Sequence, residues 1–154
     1  MVNTVIKSEG FDSNHYNNIL SKLLKLLMKS GKKNVAYKIV NSSIKSAAKQ
    51  LNLKHSSEVL TKATFNASPD LEIKSKRVGT GVYQVPKPID LDKKLTLGLK
   101  NIIEASKSRK ESSMLERLAA ELIDAYNNKG LSVKKKEEIH KLAEANKSFA
   151  HFNW

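Results

Sequence analysis

Cysteine is absent from the 154 residues. That excludes disulfide frameworks, thiolate zinc sites and cysteine nucleophiles. No apolar run approaches the roughly 18 residues needed to span a bilayer. Proline occurs three times and glycine six times, and neither forms a low-complexity linker. No internal repeat is visible. Arginine is nearly missing too, with only Arg77, Arg109 and Arg117. Acidic residues are lacking in one place, since none stands between Asp12 and Glu58. The first residues, with Asn3, Thr4, Lys7 and Glu9, lack the apolar core of a secretory signal and the arginine-rich pattern of an organelle presequence. The expectation is use in the compartment of synthesis, or a presequence outside this stretch.

What the chain has is positive charge. Lysine and arginine number 28 against 15 acidic residues, a net charge of +13. Such an imbalance opposes compaction and points to a polyanionic partner, nucleic acid first. An anionic membrane fits less well, because no amphipathic segment joins a basic face to an exposed aromatic one. The plain alternative is a basic surface with no partner. Charge is segregated, however. Lys22, Lys25, Lys29, Lys32, Lys33, Lys38, Lys45, Lys49 and Lys54 fill the acid-free stretch, whereas Glu111, Glu116, Glu121 and Asp124 face only Arg117 along a later one. A merely solvated surface intersperses the two signs.

Hydrophobic residues make up 40%, and their spacing is mostly helical. Residues 1–13 have no clear period and read as a loosely ordered tail. From about residue 14, Ile19, Leu20, Leu23, Leu24, Leu27 and Met28 form a stripe that Gly31 closes. A second helix over about 33–51 carries Ala36, Ile39, Val40, Ile44, Ala47, Ala48 and Leu51. A third, from Ser56, carries Val59, Leu60, Ala63 and Ala67 and ends at Pro69-Asp70. The period then shortens around Leu71, Ile73 and Val78. Gly79-Thr80-Gly81 separates that run from Val82-Tyr83-Gln84-Val85. A hairpin at about 70–88 is predicted, with a three-residue loop, a bulge, and Pro86 and Pro88 limiting its second strand. Asp90 can cap a fourth helix bearing Leu95, Leu99, Ile102 and Ile103, with a break from Ser106 to Ser112. Ser113-Met114-Leu115-Glu116 is a capping box for a fifth. Its face is Leu115, Leu118, Ala119, Leu122, Ile123 and Tyr126, and Gly130 stops it. Ser132 caps a sixth with Ile139, Leu142 and Ala143. The fold class is mainly α: about six helices in one domain over 14–154, with a β-hairpin protruding between the third and fourth. A lone hairpin is marginal in water, so a partner is expected to steady it.

The basic clusters fall at element ends, where phosphate contacts are commonly made. They are Lys32 and Lys33 after Gly31; Lys74, Lys76 and Arg77 in the hairpin; Lys107, Arg109 and Lys110 between helices. Lys134, Lys135 and Lys136 crowd the predicted first turn of the last helix, against its dipole. A phosphate there would answer both the lysines and the helix end; a solvated turn is the alternative. Lysine acts as a point charge and reads bases poorly, which suits recognition of folded RNA by shape and backbone. Tyr83 could stack on a base or pack across the strands. Enzyme signatures are missing. Gly79-Thr80-Gly81 has no following Lys-Ser/Thr and opens no helix, and His140 with Glu144 sits in no HExxH motif. His15, His55 and His151 are scattered, and no cofactor, metal site, small-molecule substrate or catalytic residue is expected. The competing readings are a basic DNA-binding chromosomal or regulatory protein and a small RNA-modifying enzyme.

Several strings in order resemble one family. Lys74-Ser75-Lys76-Arg77-Val78-Gly79 and Tyr83-Gln84-Val85-Pro86 resemble the hairpin signature of the seventh small-subunit ribosomal protein family, as does Gly31-Lys32-Lys33 before a helix. Ser113-Met114-x-Glu116-Arg117-Leu118-Ala119-x-Glu121-Leu122 is similar to its fifth helix. Val133-Lys134-Lys135-Lys136-Glu137 and Ala143-Glu144-Ala145-Asn146-Lys147-x-Phe149-Ala150-His151 are similar to its sixth helix and tail. The match spans roughly residues 17–154.

The resemblance implies a structural ribosomal protein that binds the 3′ major domain of small-subunit rRNA. Such a protein helps assemble the head and lines the exit site near tRNA and mRNA, beside neighbouring proteins of the head and platform. It makes Lys32, Lys33, Lys74, Lys76, Arg77, Lys93, Lys94, Arg109, Lys110, Lys134, Lys135 and Lys136 candidate rRNA contacts, and Lys107 joins them from the residue reading. Gly79, Thr80, Gly81 and Tyr83 would lie toward exit-site tRNA and mRNA. The chain departs from the family pattern in four ways. Its first twelve residues are nearly neutral instead of an arginine-rich arm. Gly79-Thr80-Gly81 replaces Gly-Gly, lysine replaces many arginines, and the end reads Phe152-Asn153-Trp154. The lysine-, asparagine-, serine- and isoleucine-rich usage suggests an AT-rich genome and favours a mitochondrial ribosome over a bacterial one.

Overall fold

The computed structural model describes residues 13–152. The expected tail over 1–13 lies outside the described residues except for Ser13, as do Asn153 and Trp154. In order come α1 Ser13–Leu27, α2 Lys33–Gln50, α3 Ser56–Ala67, β1 Leu71–Val78, β2 Gly81–Pro88, α4 Leu91–Ser108, α5 Met114–Tyr126, α6 Leu131–Ala145 and a 3₁₀ helix Lys147–Phe152. This is the expected mainly helical body with a hairpin between the third and fourth helices.

The apolar stripes become one hydrophobic cluster. Ile19 and Leu23 of α1, Val40 and Ile44 of α2, Val59 and Leu60 of α3, Leu99 and Ile102 of α4, and Leu118 and Leu122 of α5 are buried together. Each such side chain contributes about 1.5–3 kcal/mol on leaving water. Helix α5 is central and packs on α2, α3 and α4. Its entry is fixed by the predicted capping box: Ser113 accepts from the Glu116 amide, and the Glu116 carboxylate accepts from the Ser113 amide. Gly98 lets α4 lie close on α3; a Cβ there would stand 2.2 Å from Ser68 Oγ and 2.9 Å from the Thr64 carbonyl oxygen.

Several boundaries differ from expectation. Helix α4 runs through Ser106, which is buried with Ile102, Ile103 and Ala105; its hydroxyl is satisfied there by donating 2.7 Å to the Ile102 carbonyl. Helix α1 ends at Leu27, so Gly31 (φ +72°) belongs to the turn into α2, not to the cap. Helix α5 ends at Tyr126, before left-handed Asn128 (φ +57°). Gly130 (φ +92°) is the N-cap of α6, and Ser132 lies inside that helix. Leu142 is 55% exposed, off the buried face that carries Val133 and Ala143.

The hairpin loop has two residues. Val78 pairs with Gly81, leaving Gly79 and Thr80 as the turn, and the register runs unbroken to Leu71 and Pro88. Gly79 alone of the two has positive φ, the glycine-first arrangement of a type II′ turn. No bulge is needed. β2 continues through Pro86 and Pro88 because, in a two-stranded ribbon, alternate residues turn their N–H side outward, where proline loses nothing. The steadying element is the chain's own C-terminus. Tyr83 packs on Phe149 and Phe152 with ring centroids 5.1 and 5.3 Å away, and Lys76 Nζ donates to the Phe152 carbonyl at 3.0 Å.

Candidate nucleic-acid interface

Helix α4 separates two basic regions, one at each of its ends. Its 18 residues rise about 1.5 Å each, so the regions lie roughly 27 Å apart.

At the hairpin end most of the cations are partnered, Arg77 and Lys87 excepted. Glu72 at the base of β1 holds both Lys74, at 3.3 Å, and Lys93 at the start of α4. Asp70 holds Lys94, and Lys22 of α1 reaches Asp92 at 2.9 Å. Hydrogen bonds from Lys94 and Lys93 pull the Asp70 and Glu72 carboxyls below their usual range, against the opposing effect of desolvation. His140 is tied in here as well: its Nε2 accepts the Asp70 amide at 3.0 Å, so the ring supports the hairpin base. Arg77, paired in register with exposed Val82, is exposed and has no partner among the described residues. Gly79 and Thr80 are exposed at the tip. Tyr83 is not, because its ring is committed to the aromatic cluster.

At the other end the α1–α2 turn meets the α4–α5 loop. Lys29, Lys32, Lys33, Lys107 and Lys110 are exposed there, and none of their ammonium groups has an ion pair or hydrogen bond among the described residues. Lys32 and Lys107, from distant stretches of sequence, line one groove with Leu27, Lys29, Val35, Ala36, Ile39 and Met114. Lys29 was not singled out as a candidate contact, although the acid-free stretch that contains it was the signal. Val35 carried no signal, being one position off the buried face of α2.

Arg109 stands apart from its neighbours. Its Nη1 donates to Glu121 Oε2 at 2.8 Å and to Asp124 Oδ2 at 2.7 Å, and its Nε to Glu111 Oε1 at 3.0 Å. Burial pulls the guanidinium pKa down, but the bonds to Asp124, Glu121 and Glu111 outweigh it and the pKa rises. The later acidic group therefore faces Arg109 as well as Arg117. Glu121, fully buried, has a second duty: its Oε1 accepts the Ser132 amide at 3.0 Å and the Ser132 hydroxyl at 2.7 Å. The N-terminus of α6 is thus capped by the protein's own carboxylate. Gly130 makes room for it, since a Cβ would lie 2.9 Å from Glu121 Oε1.

This changes the geometry expected around Lys134, Lys135 and Lys136. They follow the start of α6, where the Ser132 amide already has an anion. Lys135 pairs with Glu104 at 2.6 Å, Lys136 donates to the Asn66 carbonyl at 3.1 Å, and Lys134 is exposed and unpaired among the described residues. Among the described residues no group of three or more His, Asp or Glu side chains is placed to hold a metal ion.

A helical body with a hairpin and unpaired lysines fits a nucleic-acid binder, and comparison with known proteins narrows it. The family described as ribosomal protein S7p/S5e matches residues 3–147. The chain belongs to the ribosomal protein S7p/S5e family. Among its relatives, the small ribosomal subunit protein uS7 of Stenotrophomonas maltophilia (strain K279a) is 40% identical over 152 residues, covering 99% of this chain and 97% of the relative. That of Chloroflexus aggregans is 44% identical over 138 residues, covering 89% and 87%. That of Wigglesworthia glossinidia brevipalpis is 44% identical over 136 residues, covering 88% and 86%. Membership of this S7p/S5e family makes the chain a structural ribosomal component and not an enzyme.

Proposed function

We propose that this S7p/S5e member binds the 3′ major domain of small-subunit rRNA and helps assemble the head of the subunit. The observation that carries the RNA mode is the set of unpartnered lysines, Lys29, Lys32, Lys33, Lys107 and Lys110, gathered at one end of the body. Charges without internal partners are the ones available to phosphates. Lys134 and Arg77 are further exposed cations without a side-chain partner among the described residues. Lys74, Lys76, Lys93, Lys94, Lys135 and Lys136 can reach RNA only by sharing or exchanging their present partners. Arg109 serves as a positioning residue for the α4–α5 loop.

The hairpin tip, Gly79 and Thr80 with Gly81 and Arg77 beside it, is the element we assign to exit-site tRNA and mRNA. Tyr83 supports it from behind through Phe149 and Phe152. Neighbouring ribosomal proteins of the head and platform complete the environment. The mitochondrial assignment rests on composition alone, and the relatives compared are bacterial; locating the gene in an organelle or a bacterial genome decides it.

The test is reconstitution. The full chain mixed with a transcript of the 3′ major domain should bind in a salt-dependent way. For about six neutralised phosphates, log affinity should fall against log salt with a slope near 4–5. A flat salt response, or equal affinity for duplex DNA, would sink this reading.

A further inference from the structure

The groove at the lysine-rich end has an unexpected floor. Leu27, Val35, Ala36, Ile39 and Met114 line it, and Lys29, Lys32 and Lys107 form its rim. No acidic side chain lines it. Val35 is 53% exposed and Met28, next to Leu27, is 38% exposed, so apolar surface lies open to water among unpaired cations. Simple phosphate binding does not need an apolar floor. Lysines meant only to solvate the surface would not need to converge from the α1–α2 turn and from α4 around one.

The combination suits a nucleotide whose base has left its stack. Proteins that take up an extruded base hold it between aromatic or apolar side chains, while cations track the backbone of the unpaired strand. The groove volume of about 210 Å³ is below the roughly 300–1,000 Å³ of pockets for drug-sized ligands. That size suits one small ring system better than a drug-sized ligand. We propose that this groove takes a single unstacked nucleobase from a loop of the small-subunit RNA, with Lys29, Lys32 and Lys107 on the flanking phosphates. The inference rests on the RNA-binding reading above and adds a specific seat for one nucleotide.

The absence of cysteine makes a direct test possible. Val35→Cys places a unique thiol at the groove, and Gln50→Cys, exposed at the far end of the same helix, serves as control. Alkylation of each full-length variant is followed free and bound to the 3′ major domain transcript, with binding measured separately. The transcript alone should slow reaction at position 35 by about tenfold, as expected if the site is open a tenth of the time, and leave position 50 unchanged. Val35→Glu should weaken binding by about tenfold with an unchanged helical circular dichroism spectrum, and one unpaired base protected from chemical modification in the wild-type complex should become reactive.

Failure of the transcript to bind would overturn the RNA reading itself. Binding without protection at position 35 would overturn only the groove assignment. Protection that needs an added head or platform protein would assign the groove to a protein segment instead. Protection in the free chain, lost on deleting residues 1–12, would assign it to the chain's own N-terminal segment.

Discussion

The two ends of α4 hold comparable sets of cations in different states. At the hairpin end, Glu72, Asp70 and Asp92 are placed against Lys74, Lys93, Lys94 and Lys22, so the charge is used to join β1, α1 and α4. At the loop end, Lys29, Lys32, Lys33, Lys107 and Lys110 have no such partners among the described residues. Only Arg109 is held, by three carboxylates. The lesson is that positive charge in a basic protein is not one resource. Cations already paired must surrender a partner to meet RNA, whereas unpaired ones gain an anion and release their counterions.

The largest expected effect tests the exception. Arg109→Ala leaves Glu121 a buried carboxylate with only the Ser132 donors. Losing one partner of a buried pair costs about 3–5 kcal/mol; the low end applies because those donors remain and the guanidinium is 22% exposed. Chemical denaturation should show this loss, while Lys110→Ala next to it should leave stability unchanged. Equal stability of the two variants would erase the distinction between held and free cations.

The comparison itself is tested by exchanging four lysines at each end. Replacing Lys29, Lys32, Lys33 and Lys107 by Gln should lower affinity for the 3′ major domain transcript on the order of 100-fold, about 2.7 kcal/mol. It should also lower the salt slope by about 3. Replacing Lys74, Lys76, Lys93 and Lys94 should change the slope by clearly less. Equal slopes would show that the salt bridges at the hairpin end open freely for RNA.

Tyr83→Ala probes what holds the hairpin. Aromatic pairs contribute about 0.5–1.5 kcal/mol beyond burial, so amide exchange in β1 and β2 should quicken while global unfolding shifts little. An undisturbed hairpin would mean that the Lys76 bond to Phe152 suffices.

The smallest effect is the pH dependence of the salt bridges at the hairpin base. The Asp70 and Glu72 carboxyls titrate lower in the folded chain than the ordinary 3.8 and 4.5. Their contribution is therefore complete above those values and is lost as pH falls through the depressed folded values. Each exposed pair contributes only about 0.2–1 kcal/mol, so amide exchange at β1 and the start of α4 should rise modestly below about pH 4. No change at the loop end is expected from these groups.

The helices were legible because their signals are local. Leu118, Leu122 and Ala125 recur at the spacing of one helical face, and Ser113 and Glu116 cap the same turn they begin. The hairpin was legible for the same reason, though its loop was read one residue too long because glycine stands at both Gly79 and Gly81. The lysine clusters were visible as composition, and the acid-free stretch did supply unpaired charge, although its Lys22 is paired with Asp92. Whether a given lysine is free could not be read so. Lys93 follows Asp92 and Asp90 in sequence, yet its partner is Glu72 on another element. Arg109 and Lys110 are neighbours, yet one points into a carboxylate cluster and the other to solvent.

The sequence by itself determined the helical body, the hairpin, the family and the excess of positive charge, because periodicity, caps, turns and motifs act over a few residues. Only the tertiary structure decided which cations remain available, that Glu121 fills the α6 N-terminus, that Tyr83 braces the hairpin against Phe149 and Phe152, and that Val35 and Met114 share a groove with Lys107. Ion pairs and apolar contacts depend on distances of a few ångströms between elements far apart in the chain, and those distances exist only once the core around α5 has packed.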